Sequence, residues 1–264
     1  MPKLLSRVLV VLMAAVPLAA ANADDLAPGG TLRAAYLATN PAQAVRDAQT
    51  GEVRGVAVDL ARELGKRRNL PVSFLTPGGP AAVIEAVAKG EADIGFVAFA
   101  PERVGTVAFS QVYMLVQQTF LVPDNSRLRS VADIDAPGLR ISGGKGDSIT
   151  LYLRRNLKQA TLVETDNTPP DARRKFAAGE IDAFGANRQR LTTMLKDMPG
   201  YRLLPDTLFG VPQTIVVAQG KPDALAAVNG LIDDVRASGF LQGAIARSGI
   251  IGLEVAPPGH RLDR

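Results

Sequence analysis

The chain has 264 residues, a formal net charge of +4, no cysteine and one histidine, His260. Those counts leave a zinc site almost no ligands and give the fold no disulfide, so neither a metal nor a cofactor is expected. They also argue against Ser-His-Asp hydrolysis, since His260 sits in a Pro/Gly tail and G-x-S-x-G is absent.

The opening residues read as an address. Lys3 and Arg7 precede the almost wholly apolar run 8–21, and Ala21-Asn22-Ala23 offers an A-x-A site before Asp24. The run falls short of the about 20 apolar residues that a bilayer core demands. Residues 1–23 are therefore expected to be a secretory signal cleaved after Ala23, leaving a periplasmic protein. That protein has 241 residues and a net charge of +2, enough for one large or two modest domains. No long basic run with interleaved aromatics follows, so nucleic acid is not an expected partner. Lys66-Arg67-Arg68 and Arg173-Arg174-Lys175 read as solvated helix faces.

Short β-type runs then alternate with helical stretches. Residues 31–37 predict a strand, 56–68 a helix, 71–76 a strand, 80–89 a helix opened by Pro80 and closed by Gly90, and 94–97 a strand. The apolar run 114–122 predicts a first crossing between two halves. The pattern restarts with a strand at 139–142, a helix at 147–155 and a strand at 161–164. A helix at 169–178, capped by Thr168 or Asn167, and a strand at 181–185 complete it. Residues 211–218 predict a return crossing, followed by helices at 222–237 and 239–247. Such alternation implies mainly parallel sheets with helices on their faces.

One repeat organises these elements. Ala88-Lys89-Gly90-Glu91-Ala92-Asp93-Ile94-Gly95 recurs as Ala177-Ala178-Gly179-Glu180-Ile181-Asp182-Ala183-Phe184. A helix that stops at glycine before an acidic turn and a strand is common in α/β proteins. Its equivalent position in two successive βαβ blocks favours two similar lobes: 24–115 with 212–264, and 116–211. Ligands of open α/β sheets bind beyond the carboxyl ends of the strands, which selects the loops 38–43, 98–103, 143–148 and 186–188. Arg103 fits a carboxylate through two parallel hydrogen bonds, or is an ordinary arginine near a turn. The glycine-rich 143–148 leads into a helix whose first N–H groups suit an anion. Asp147 either caps that helix or points inward, where it would repel an anion or hold an ammonium.

In order and spacing the chain resembles the family 3 extracellular solute-binding proteins of ABC transporters. The likeness is carried by Gly30-Thr31-Leu32-Arg33, by Gly51 through Gly55 to Asp59-Leu60-Ala61, and by Pro101-Glu102-Arg103 with Val107-Ala108-Phe109-Ser110 and Tyr113. Lys145-Gly146-Asp147-Ser148 and Val228-Asn229 with Leu231 extend it. The resemblance implies a type II periplasmic-binding-protein fold, two α/β lobes on two hinge strands, closing on a small-molecule solute. It implies a monomer that delivers this solute to a permease in the inner membrane. It also implies that Arg103 pairs with a ligand carboxylate and that Ser148 and nearby N–H groups complete the grip.

The departures shape the expected ligand. Amino-acid binders of the family commonly carry hydroxyl residues just before the arginine, where Ala98 and Ala100 stand. They carry an acid after the second repeat strand, where Asn187 stands, and an aromatic near the first strand, where Gln43 is the nearest match. Asn187 cannot neutralise a buried cation, so the expected solute is a small carboxylate that need not be a standard amino acid, with Asp147 the remaining source of negative charge. The rival reading is a family-fold enzyme of the cyclohexadienyl or arogenate dehydratase type. Glu102 and Asp147 are the only acids on the four loops and form no evident acid/base pair, so no catalytic activity is expected. A third reading is a periplasmic sensor or accessory binding protein.

Overall fold

The computed structural model describes residues 25–260 except Thr39, Ala48, Ala100 and Asn167, and leaves the Glu102 side chain aside. The expected signal 1–23 and the alternative cap Asn167 lie outside the described residues. The first lobe opens with β1 (Leu32–Ala35), a small hairpin of β2 (Val45–Arg46) and β3 (Val53–Arg54), then α1 (Val56–Arg68), β4 (Val72–Leu75), α2 (Pro80–Ala88) and β5 (Ile94–Ala98). β1 lies parallel between β4 and β5, with Leu32 opposite Val72 and Ala34 opposite Ile94. A 3-10 turn, Pro101–Arg103, and β6 (Val107–Phe109) lead into the ten-residue β7 (Met114–Pro123).

The second lobe repeats the plan with β8 (Arg140–Gly144), α3 (Ser148–Asn156), β9 (Thr161–Thr165), α4 (Pro169–Ala177) and β10 (Ala183–Asn187). β8 lies parallel between β9 and β10. Then come α5 (Arg188–Leu195), β11 (Tyr201–Leu203), the long β12 (Phe209–Ala218), α6 (Pro222–Ala237), α7 (Phe240–Ser248) and β13 (Leu253–Val255). Thr168 caps α4 by accepting from Asp171 N–H.

β7 closes the second lobe's sheet against β10, and β12 closes the first lobe's against β5. The two crossing strands pair with each other antiparallel, Val116 opposite Val211. The sheet therefore reads β4-β1-β5-β12-β7-β10-β8-β9, one motif written twice about its centre. Each lobe has cores on both sides of its sheet. Leu32, Leu60, Phe96, Ile215 and Val228 share one cluster of the first lobe, while Val83, Val87 and Val97 share the other. In the second lobe Phe120, Ile141 and Ile149 pack on one side and Leu121, Phe184 and Leu191 on the other.

The sequence repeat has a structural counterpart that the pattern did not foretell. Asp93 accepts from Arg33 backbone N–H, Nε and Nη2 at 2.8, 3.1 and 2.7 Å. Asp182 accepts from the same three groups of Arg140 at 2.8, 3.0 and 2.9 Å. Each carboxylate thus bolts the turn after a repeat helix to the first strand of its own lobe. Burial by itself would raise the Asp182 pKa, but the bonds from Arg140 outweigh it and hold the carboxyl below its ordinary value. A depressed folded pKa means stabilisation that is present above the ordinary carboxylate range and lost as pH falls through the folded value. Asp182→Asn is therefore expected to flatten the fall in melting temperature between about pH 5 and pH 3. A variant whose melting curve tracks the wild type across that range would show the clamp to be energetically silent.

Candidate functional site

A cavity of about 150 Å³ opens where the strand ends of both lobes converge. Asn40, from the loop after β1, and Ala98, the last residue of β5, line it from the first lobe. Asp147, Ser148, Asn187 and Arg190 line it from the second. The crossing strands form the rest of its wall through Val116 and Gln118 of β7 and Val211 and Gln213 of β12. A larger groove of about 460 Å³ lies elsewhere, between the β2–β3 hairpin and α7. It sits away from the strand ends, and charges lining it pair with one another, Asp47 with Arg54 and Asp59 with Arg247.

Local structure explains how the second lobe presents its groups. Asp147 is the extended residue before α3, and its carbonyl accepts Leu151 N–H. Its carboxylate makes no cap bond and reaches Arg190 Nη1 at 3.1 Å. Ser148 then opens α3 as an exposed residue, so the first N–H groups of that helix lie beside the cavity. Gly143 before it serves packing: Thr150 Oγ1 donates to Gly144 carbonyl at 2.6 Å and fills the space a Cβ on Gly143 would need. Asn187 caps α5, its Oδ1 accepting Arg190 N–H at 2.8 Å, which leaves the side-chain N–H groups to donate. That cap also fixes the backbone from which Arg190 reaches Asp147.

Of the six residues expected at the site, Ala98, Asp147, Ser148 and Asn187 come together at one cavity. Arg103 is not among the lining residues; it is half-buried at the end of the 3-10 turn, with Nη1 donating to the carbonyl of the lining residue Ala98 at 3.1 Å. Gln43 requires a correction. It is fully buried, its Oε1 accepts Leu37 N–H at 2.8 Å and its Nε2 donates to Phe96 carbonyl at 3.1 Å. It straps the loop after β1 onto β5 and does not cover a ligand. Arg188, from the fourth expected loop, turns to Gln117 Oε1 and to the Pro205 and Asp206 carbonyls, and so braces the crossing strand.

Sequence reasoning missed Asn40, Arg190, Gln118 and Gln213. The last two did carry a signal, since Gln117-Gln118-Thr119 and Gln213-Thr214 interrupt otherwise apolar strand runs. Among the described residues the lining carries one carboxylate and one guanidinium, which are paired with each other. The half-buried Arg103 adds a positive charge bonded to the Ala98 carbonyl.

The pattern described as "Bacterial extracellular solute-binding proteins, family 3" matches residues 32–247. A glutamine-binding protein of Geobacillus stearothermophilus is 28% identical over 178 residues, 65% of this chain. The match spans 66% of that protein, just under two thirds of its length. An ABC transporter glutamine-binding protein of Bacillus subtilis (strain 168) is 22% identical over 74% of this chain and 72% of its own. A solved structure of a putative ABC-transporter binding component from Wolinella succinogenes, complexed with lysine, superposes with a TM-score of 0.65 at 23% identity. It covers 83% of this chain and 95% of that one, and the likeness is one of fold.

Proposed function

The chain belongs to the bacterial extracellular solute-binding proteins, family 3, and on that footing we propose that it is the exported capture component of an ABC uptake transporter, closing on a small carboxylate-bearing solute. The observation that carries this reading is the cavity lined at once by strand ends of both lobes and by the strands that join them. A solute there touches both halves only when they approach, and a ligand favours a state in proportion to its extra affinity for that state. The rigid units are 24–115 with 212–264, and 116–211, and β7 and β12 absorb the rotation between them.

Arg103 grips the carboxylate from the first lobe. Ser148 and the leading N–H groups of α3 meet it from the second. Ala98 limits the space beside the arginine, and Asn187 donates from its side-chain amide. Asp147, held by Arg190, orients that guanidinium at the rim. The mature protein begins at Asp24, works in the periplasm as a monomer and delivers its solute to a permease in the cytoplasmic membrane. Among the described residues no helix is long and apolar enough to cross a membrane.

Native mass spectrometry of protein purified without refolding, with a thermal-shift screen of amino acids and plain carboxylates, tests the reading. A captured solute is expected to raise the melting midpoint, because it binds only the folded state. No co-purified compound and no shift across the screen would sink it. The curated relatives above are named as binding proteins, and Asp147, the one acid among the described lining residues, is paired with Arg190. Turnover of prephenate or arogenate by the purified protein would instead favour the dehydratase reading.

A further inference from the structure

We propose that Gln213 and Gln118, on the two crossing strands, are specificity residues that receive an uncharged hydrogen-bond donor of the solute, a carboxamide N–H or a hydroxyl. The inference rests on the solute-capture reading above and names the chemistry of the solute's second end.

Both glutamines line the cavity, and both are almost wholly buried, at 3% and 5% exposure. Gln213 Nε2 donates to the Val211 carbonyl at 3.3 Å, and Gln118 Nε2 donates to the Val116 carbonyl at 3.2 Å. Each amide is thus pinned to the residue two positions back on its own strand. The opposite amide orientation would set oxygen against carbonyl oxygen, so these contacts define which atom faces elsewhere. Gln213 Oε1 is buried and has no donor among the described residues. Buried polar atoms in folded proteins are nearly always satisfied, and an exception in a cavity wall calls for a partner from outside the chain.

The arrangement occurs twice. Gln213 stands opposite Ala98 at the end of β5, and Gln118 stands opposite Asn187 at the end of β10. Ala98 and Asn187 hold the same place in the two copies of the repeat, so the glutamines are counterparts across the centre of the sheet. A buried carboxamide is costly unless it is fully hydrogen-bonded, and two at equivalent positions point to one use.

The charge balance selects the donor. Among the described residues the lining holds one carboxylate, on Asp147, and it is engaged by Arg190. An ammonium seated on the glutamines would be buried against neutral amides, which compensate a full charge poorly. A neutral N–H or O–H satisfies the Gln213 oxygen without that cost.

The test measures affinity by calorimetry for size-matched carboxylates: succinamate, 4-hydroxybutyrate, succinate and 4-aminobutyrate, then glutamine, glutamate and ornithine. The amide or hydroxyl member of a series is expected to bind about tenfold or more tightly than its charged partners. Gln213→Leu is expected to erase that preference, and Gln213→Glu to turn it toward the ammonium. Gln213→Met, a flexible replacement of similar length, serves if the leucine variant melts early. An ammonium compound preferred by wild type, or a preference kept by both Gln213→Leu and Gln213→Met, overturns the inference and leaves solute capture standing. A solute identified by native mass spectrometry that lacks any uncharged N–H or O–H overturns it as well. Absence of any ligand at all fails the capture reading itself.

Discussion

Arg103→Ala is expected to weaken binding of the carboxylate solute by about 2–5 kcal/mol, roughly 30-fold to several-thousand-fold in Kd. The size follows from what a half-buried guanidinium offers. Nη1 is spent on the Ala98 carbonyl, which fixes the plane of the group beside the cavity wall. In the proposed grip, the remaining edge of the guanidinium would give a carboxylate two parallel bonds. Losing the internal bond alone costs the unliganded protein only about 0.5–1.5 kcal/mol. Affinity and melting temperature should therefore separate: a large loss in calorimetric Kd with a small change in the unliganded midpoint. Arg103→Lys keeps the charge but not the fork, and should fall between the two. If Arg103→Ala binds the identified solute as tightly as wild type, the carboxylate is held elsewhere, and Arg190 is the next guanidinium to replace.

Gly55→Ala should destabilise the fold by about 3 kcal/mol or more, lowering the melting temperature by roughly 6–12 °C for a chain of this size. Gly55 has φ 144° and ψ 172°, a backbone region that essentially only glycine enters. A Cβ there would lie 2.6 Å from both Ala44 Cα and the Gln43 carbonyl oxygen. These are backbone atoms, so no side-chain rotation relieves the clash. The segment cannot drift away cheaply either. The Gln43 carbonyl accepts Ala57 N–H from the first turn of α1 at 3.0 Å, and its side chain bonds Leu37 and Phe96. Because Asn40 of the same loop lines the cavity, solute affinity should fall with stability. A Gly55→Ala protein that melts within about 2 °C of wild type would show that the loop yields where the contacts say it is held.

Two of the motifs that carried the family likeness are structural. Gly55 permits the close passage of residues 43 and 44. β6, within Val107 to Ser110, pairs with β12, and Ser110 Oγ accepts Ile215 N–H at 2.9 Å. Asp93 and Asp182, read first as parts of acidic turns, bolt those turns to β1 and β8. The ordinary strands and helices were legible because hydrophobic period and end signals are local. The 13-residue α1 matched the expected 56–68 and α6 the expected 222–237. α5 was missed: eight residues, mostly polar, with only Leu191 and Met194 buried, show too little periodicity.

Local chemistry by itself therefore determined the alternating elements, the twofold repeat with its glycine-stopped helices, and the strand-end loops where a ligand would sit. Side-chain convergence was decided by tertiary structure. Gln43 has the same type as Gln118 and Gln213, yet it is consumed by two backbone bonds while they face the cavity. The difference lies in the pairing of β12 with β5 and of β7 with β10, contacts between residues far apart in the chain. A one-residue slip in either register would carry its glutamine to the other face of the sheet.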